Sequence, residues 1–92
     1  MAKLFYEDVE FIRNAEQLLD ELKKKKRLTI VHEDKFIHVL VGLLGILQRI
    51  KRHRRLERLI DEMISFGELN SFSVEGPKIF FQKLKERRRI TS

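Results

Sequence analysis

Apolar residues recur through the first quarter of the chain at three- and four-residue steps: Leu4, Phe5, Val9, Phe11, Ile12, Ala15, Leu18, Leu19 and Leu22. That spacing predicts a helix with a wide apolar stripe over 4–22, whose other face carries Glu7, Glu10, Arg13, Asn14, Glu21 and Lys24. Leu28-Thr29-Ile30-Val31 is a short β-branched run that reads as a single strand or as a linker. His32-Glu33-Asp34 then offers a cap for a second helix over about 35–50, apolar on nearly every side and therefore covered by neighbours. Gly42 and Gly45 lie three apart on it, and each costs about 1 kcal/mol of helix propensity relative to Ala, which implies a close approach by another backbone. A third stripe follows at Leu56, Leu59, Ile60, Met63 and Ile64. It is out of phase with the second, since continuing from Leu47 and Ile50 lands on Arg54, Glu57 and Asp61. The buried face switches near 51–54, which predicts a tight turn there.

The last third supports two readings. Phe72-Ser73-Val74 alternates, Glu75-Gly76-Pro77 has turn chemistry, and Lys78-Ile79-Phe80-Phe81 is β-prone, so the segment reads first as a hairpin over 70–84. The rival reading places Pro77 at the first position of a helix running to about 89, with Ile79, Phe80, Lys83, Leu84 and Arg87 along one side.

Charge adds a partner to this outline. Cations come in three blocks, over 23–27, 49–58 and 78–89, separated by acidic amphipathic segments, within a net charge of +6. A surface that gathers cations and keeps its acids elsewhere suits a polyanion, of which nucleic acid is the commonest. With 92 residues and no cysteine, the chain forms one domain that neither disulfides nor a thiolate metal site can reinforce, so a homodimer is expected to add burial. A charged fraction of 37% with few Asn and Gln and a single Pro leans toward a thermophilic source. The longest nearly uncharged apolar run, 36–47, falls short of the roughly 20 residues that a membrane helix needs. Glu7, Asp8 and Glu10 interrupt any secretory signal at the start, so the expected compartment is cytoplasmic. No glycine-rich phosphate loop and no recognisable nucleophile is present, and His32 and His38 have no spaced metal-binding partner. The expectation is a binding protein that is no enzyme and takes no metal, cofactor or small-molecule substrate.

Helix, short strand, helix, turn, helix, hairpin is the order of a winged helix-turn-helix domain. The segment from Leu56 to Leu69 resembles a recognition helix followed by the start of a wing. Gly76-Pro77-Lys78, Phe80-Phe81 and Leu84 resemble the wing tip and returning strand of PadR-type regulators, which carry a Gly-Pro-basic turn followed by paired aromatics. In size the chain is also similar to the winged site-binding proteins of archaeal plasmid segregation systems. The resemblance covers 54–85 and departs from the PadR pattern before it, because too little chain lies between Leu47 and Leu56 for a separate middle helix. It implies a mainly α winged helix-turn-helix fold, with the N-terminal helix in 1–27, a helix-turn-helix in 34–66 and a wing in 70–84; the alternative is an all-α four-helix domain.

With Leu56, Ile60 and Met63 pointing inward, the outermost positions of the third helix are Arg54, Arg58, Asp61 and Ser65, flanked by Lys51, Arg55 and Glu62. The cationic end of that face is the end a recognition helix inserts into the major groove. The candidate DNA contacts are therefore Arg49, Lys51, Arg52, His53, Arg54, Arg55 and Arg58, with Lys78 at the wing. Leu4, Phe5, Val9, Ile12 and Leu19 are the candidate dimerisation surface. Phe72, Phe80 and Phe81 read as closing the hairpin onto the core, and stacking on bases is their other use. The expected function is sequence-specific binding of double-stranded DNA by a homodimer, in transcription or DNA segregation, with a partition or other protein as a further partner. The alternative is a non-enzymatic helical nucleoprotein subunit that binds nucleic acid without sequence preference.

Overall fold

The computed structural model describes the backbone of residues 4–91 and the side chains of 4–87. It contains four helices, α1 (Tyr6–Lys24), α2 (Ile30–Ile50), α3 (Arg54–Leu69) and α4 (Glu75–Thr91), and no strand among the described residues.

α1 starts where Phe5, in extended conformation, has its N–H taken by the Asp8 carboxylate at 2.9 Å. Glu7 and Asp8 in its first turn and Lys23 and Lys24 in its last oppose the helix dipole. Its stripe of Ile12, Ala15, Leu18, Leu19 and Leu22 is buried. α2 begins five residues earlier than its sequence pattern predicts. Thr29 is the cap: its Oγ1 accepts the His32 N–H at 3.4 Å, while His32 Nδ1 accepts the Thr29 N–H at 3.0 Å. Ile30 and Val31 are thus the first helical residues; of the two readings of 28–31, strand or linker, the linker is observed at 28–29 and the rest is the start of the helix. β-Branched residues disfavour a helix only slightly, so one good cap outweighs them.

α1 and α2 run antiparallel, because Asp8 pairs with Arg49 whereas Phe11 lies against Gly42. α1 and α3 run parallel, because Glu16 meets Arg55 and Lys23 meets Glu62, a seven-residue step on both helices. The core between them is filled by Phe36, Leu40, Leu43 and Leu47 of α2, by Leu18 and Leu22 of α1, and by Leu56, Ile60 and Met63 of α3.

The predicted hairpin and wing over 70–84 are a loop and the first part of α4. Pro77 is the third residue of that helix, inside the first turn, where its missing N–H has no helical partner to lose. The first helical hydrogen bond runs from the Lys78 N–H to the Val74 carbonyl at 2.9 Å. Val74 and Phe81 are buried seven residues apart, two turns of helix. Gly67 is what lets the loop close: a Cβ there would come within 2.5 Å of Val74 and 3.3 Å of Phe36. Phe72 joins Phe36 and Phe66 in an aromatic cluster with centroids 5.2 to 6.2 Å apart. The fold is the all-α four-helix domain.

Candidate nucleic-acid interface

Three residues, Lys51 to His53, connect α2 to α3, and their backbone displays the second cationic block. Lys51 has φ 73° and ψ −42°, and the Arg52 N–H donates to the Ile50 carbonyl at 2.9 Å. This is a γ-turn, a strained conformation for a residue with a Cβ. It reverses the chain at once and throws Lys51 and Arg52 outward, both exposed. Arg52 therefore lies outside either helix. His53 follows as the cap of α3: its Nδ1 accepts the Leu56 N–H at 3.1 Å, and its own N–H donates to the Glu57 carboxylate at 3.0 Å. Its ring is half-buried and its Nδ1 is occupied by this capping, which gives this predicted DNA contact a structural post at the start of α3.

The basic residues of 49–58 fall into two groups. Arg49 and Arg55 are neutralised from α1. Arg49 pairs with Asp8 and lies 4.9 Å over the ring of Phe5. The Phe5 N–H and the Arg49 guanidinium hold the Asp8 carboxyl below the usual carboxylate range. Arg55 grips Glu16 with two nitrogens, Nε at 3.1 Å from Oε2 and Nη2 at 2.5 Å from Oε1, and this hydrogen bonding raises its pKa. Lys51, Arg52, Arg54 and Arg58 are exposed and make no ion pair among the described residues.

Further along α3 the helical wheel predicted from the sequence is the one observed. Arg54, Arg58, Asp61 and Ser65 are exposed, and Leu56, Ile60 and Met63 are fully buried. Lys23, Arg54, Arg55 and Arg58 line a groove between α1 and α3 together with Glu16, Asp20 and Glu62, acids and cations coming from both helices. That groove is mixed in sign, so the cationic excess sits at the turn and the first two turns of α3.

Lys78, predicted at a wing tip, is instead in the first turn of α4, with its Nζ 2.6 Å from Glu68. The hydrogen bond raises its pKa and ties α4 to the end of α3, so Lys78 belongs to a structural ion pair. In the third block Lys85 lies 4.3 Å over the Phe81 ring, and the side chains of Arg88 and Arg89 fall outside the described ones. Compared with family models, curated proteins and solved structures, the chain matches none.

The predicted dimerisation surface is divided in the same way. Ile12 and Leu19 are 3% exposed inside the chain's own core, and Leu4 and Val9 are half-buried, so these four have little left to offer a second copy. Phe5 alone of the five is open, at 58%. Sequence reasoning missed the acids that sort the arginines, Asp8 and Glu16, because their partners lie about forty residues away and become visible only once α1 is laid beside α2 and α3. Among the described residues no helix is long and apolar enough to cross a membrane, and no group of His, Asp or Glu side chains gathers to hold a metal.

Proposed function

We propose that the protein binds nucleic acid without chemistry of its own, taking the phosphate backbone at the α2–α3 turn through Lys51, Arg52, Arg54 and Arg58. One observation carries this reading. In a run where two arginines are matched to acids of α1, these four cations are left exposed and without an ion pair among the described residues, two on the strained turn and two on the first two turns of α3. The start of α3 adds to them, since the N–H groups of Arg54 and Arg55 precede the capped one and have no helical acceptor. Arginine's fork suits a phosphate oxygen pair, and lysine beside it adds point charge. Backbone recognition of this kind is indifferent to sequence, and the acids Asp61 and Glu62 in the middle of the exposed α3 face favour it over deep insertion into a groove.

A second reading keeps sequence-specific duplex binding by a homodimer. It is favoured by the three-residue connection between α2 and α3 and by the exposed row Arg54, Arg58, Asp61 and Ser65, which suits a helix-turn-helix without a wing.

Titration of random duplex, single-stranded DNA and RNA at two salt concentrations tests both. The expected result is binding that weakens steeply with salt, and a loss of about 1–3 kcal/mol for the pair Arg54→Ala and Arg58→Ala. Unchanged affinity in that double variant removes the turn from the interface. A preferred duplex sequence bound about a thousandfold over random duplex establishes the second reading.

A further inference from the structure

We propose that Phe5, Tyr6 and Arg49 form a stacking platform for unpaired nucleobases, so that the strand held at the α2–α3 turn is single-stranded DNA or RNA. The inference rests on the reading of that turn as a phosphate site and names the form of nucleic acid it takes.

Large apolar side chains are left open at several places: Ile30, Val31 and Leu69 at the end formed by the start of α2 and the end of α3, Val41 midway along α2, and Ile79 and Phe80 on α4. Beside the cationic turn the open pair is aromatic, and both rings are more exposed than Phe80: Phe5 is 58% exposed and Tyr6 is 77% exposed. The chain reverses at Lys51 just after Arg49, and Arg49 lies over Phe5, so the aromatic pair and the unmatched cations share one end of the fold.

The platform is held rather than merely exposed. Asp8 Oδ2 accepts the Phe5 N–H at 2.9 Å and also pairs with the Arg49 guanidinium. A single carboxylate thus fixes the backbone that carries one ring and the cation that stacks on it. The result is a planar guanidinium over an aromatic ring, both with surface left in solvent. Bases stack on aromatic rings and on guanidinium planes whatever their identity, because every base has a π-face. In a duplex those faces are covered by the neighbouring pairs, so a platform of this kind reaches unpaired bases. Lys51 follows Arg49 by two residues, which puts their Cα atoms at most about 7.6 Å apart. A strand whose base lies on the platform therefore has its own phosphates at the turn.

The chain carries one tyrosine and no tryptophan, so its intrinsic tyrosine emission reports on Tyr6 alone. The experiment titrates the full chain with oligothymidylate, with oligouridylate, and with an abasic phosphodiester oligomer of the same length and charge. Both emission and the anisotropy of an end label are followed. The expected result is quenching by the two base-bearing strands and not by the abasic one, with the base-bearing strands bound about tenfold or more tightly. Tyr6→Ala and Phe5→Ala bring the affinity for oligothymidylate toward that for the abasic strand. They leave abasic binding and the circular dichroism spectrum unchanged, and Phe5→Tyr restores the wild-type preference. Equal binding of all three polyanions with undiminished emission overturns the platform; if Arg54→Ala with Arg58→Ala still weakens that binding, the phosphate site stands without it. Quenching by anionic phosphatidylglycerol vesicles and by no oligonucleotide overturns it in favour of a lipid surface. Thymidylate affinity unaltered in the Arg54/Arg58 double variant removes the phosphate site, and the platform as its companion.

Discussion

Asp8 shows how one side chain can connect the stability of this fold to its candidate site. Its carboxylate serves the N–H of Phe5, the cap of α1, and the arginine near the end of α2 together, and its pKa is lowered first by the Phe5 hydrogen bond and then by Arg49. A depressed carboxyl stabilises the folded state fully above its unfolded pKa and loses that contribution as pH falls through the folded value. Asp8→Asn is therefore expected to lower stability by about 1 kcal/mol near neutral pH. Urea melts of variant and wild type should converge as pH falls through the lowered native pKa of Asp8, where the folded carboxyl is protonated as well. The same substitution releases Arg49 from its seat over Phe5, so base-dependent binding falls with it. A stability gap that persists in acid would mean that Asp8 acts through something other than its charge. Arg55 is held by Glu16 in a comparable way, but its raised pKa has no counterpart in ordinary pH ranges, because the group is charged throughout.

At the scale of helices, the two central glycines of α2 have opposite surroundings. A Cβ on Gly42 would run into the tip of the Phe11 ring, whereas one on Gly45 would meet nothing within 4 Å. Gly42→Ala gains helix propensity of about 1 kcal/mol but must push an aromatic ring out of a closely filled α1–α2 contact, which costs about 1–3 kcal/mol. Gly45→Ala gains the propensity alone. Thermal melts should show Gly45→Ala more stable than wild type by about 0.5–1 kcal/mol and Gly42→Ala less stable. A loss in Gly45→Ala would reveal a second chain approaching that face. The sequence shows two glycines at helical spacing, yet not which of them has a neighbour, since that depends on how α1 is laid across α2. The same limit explains α4. The stripes of α1, α2 and α3 are readable because leucine and isoleucine recur at helical steps, and the reversal at 51–54 is readable as a break in phase. In the last third, Gly76 and Pro77 carry turn chemistry that is equally at home in a helix's first turn. The residues that decide for helix, Val74 and Phe81, are buried two turns apart, a common face that becomes visible only once α4 is packed on the core. The start of α2 was hidden for a related reason. Thr29 caps it inside a β-branched run, and the reciprocal bond from His32 has no signature in hydropathy.

Over the whole molecule, cationic charge is spread along a body whose longest axis is 43 Å. Lys25, Lys26 and Arg27 lie in the linker between α1 and α2, and Arg52, Arg54 and Arg58 lie at and just after the α2–α3 turn. α2 separates these two connections by the length of its 21 residues, about 30 Å, or three Debye lengths at moderate salt. Net charge and local arrangement can therefore be set against each other without changing the first. Lys25→Ala, Lys26→Ala and Arg27→Ala together remove the same formal charge as Arg52→Ala, Arg54→Ala and Arg58→Ala. If attraction came from the overall field of a +6 protein, the two triple variants would lose equal affinity and keep equal salt slopes. If the strand is seated on the turn, the second triple should lose its phosphate contacts. Each lost contact lowers the steepness of log K against log salt by about 0.7 for a single strand or 0.9 for a duplex. The first triple should keep the wild-type slope nearly whole and lose mainly association rate. The salt slope, taken over several concentrations for both variants, thus separates a located site from a diffuse one. Equal slopes would assign the binding to the molecule's charge as a whole.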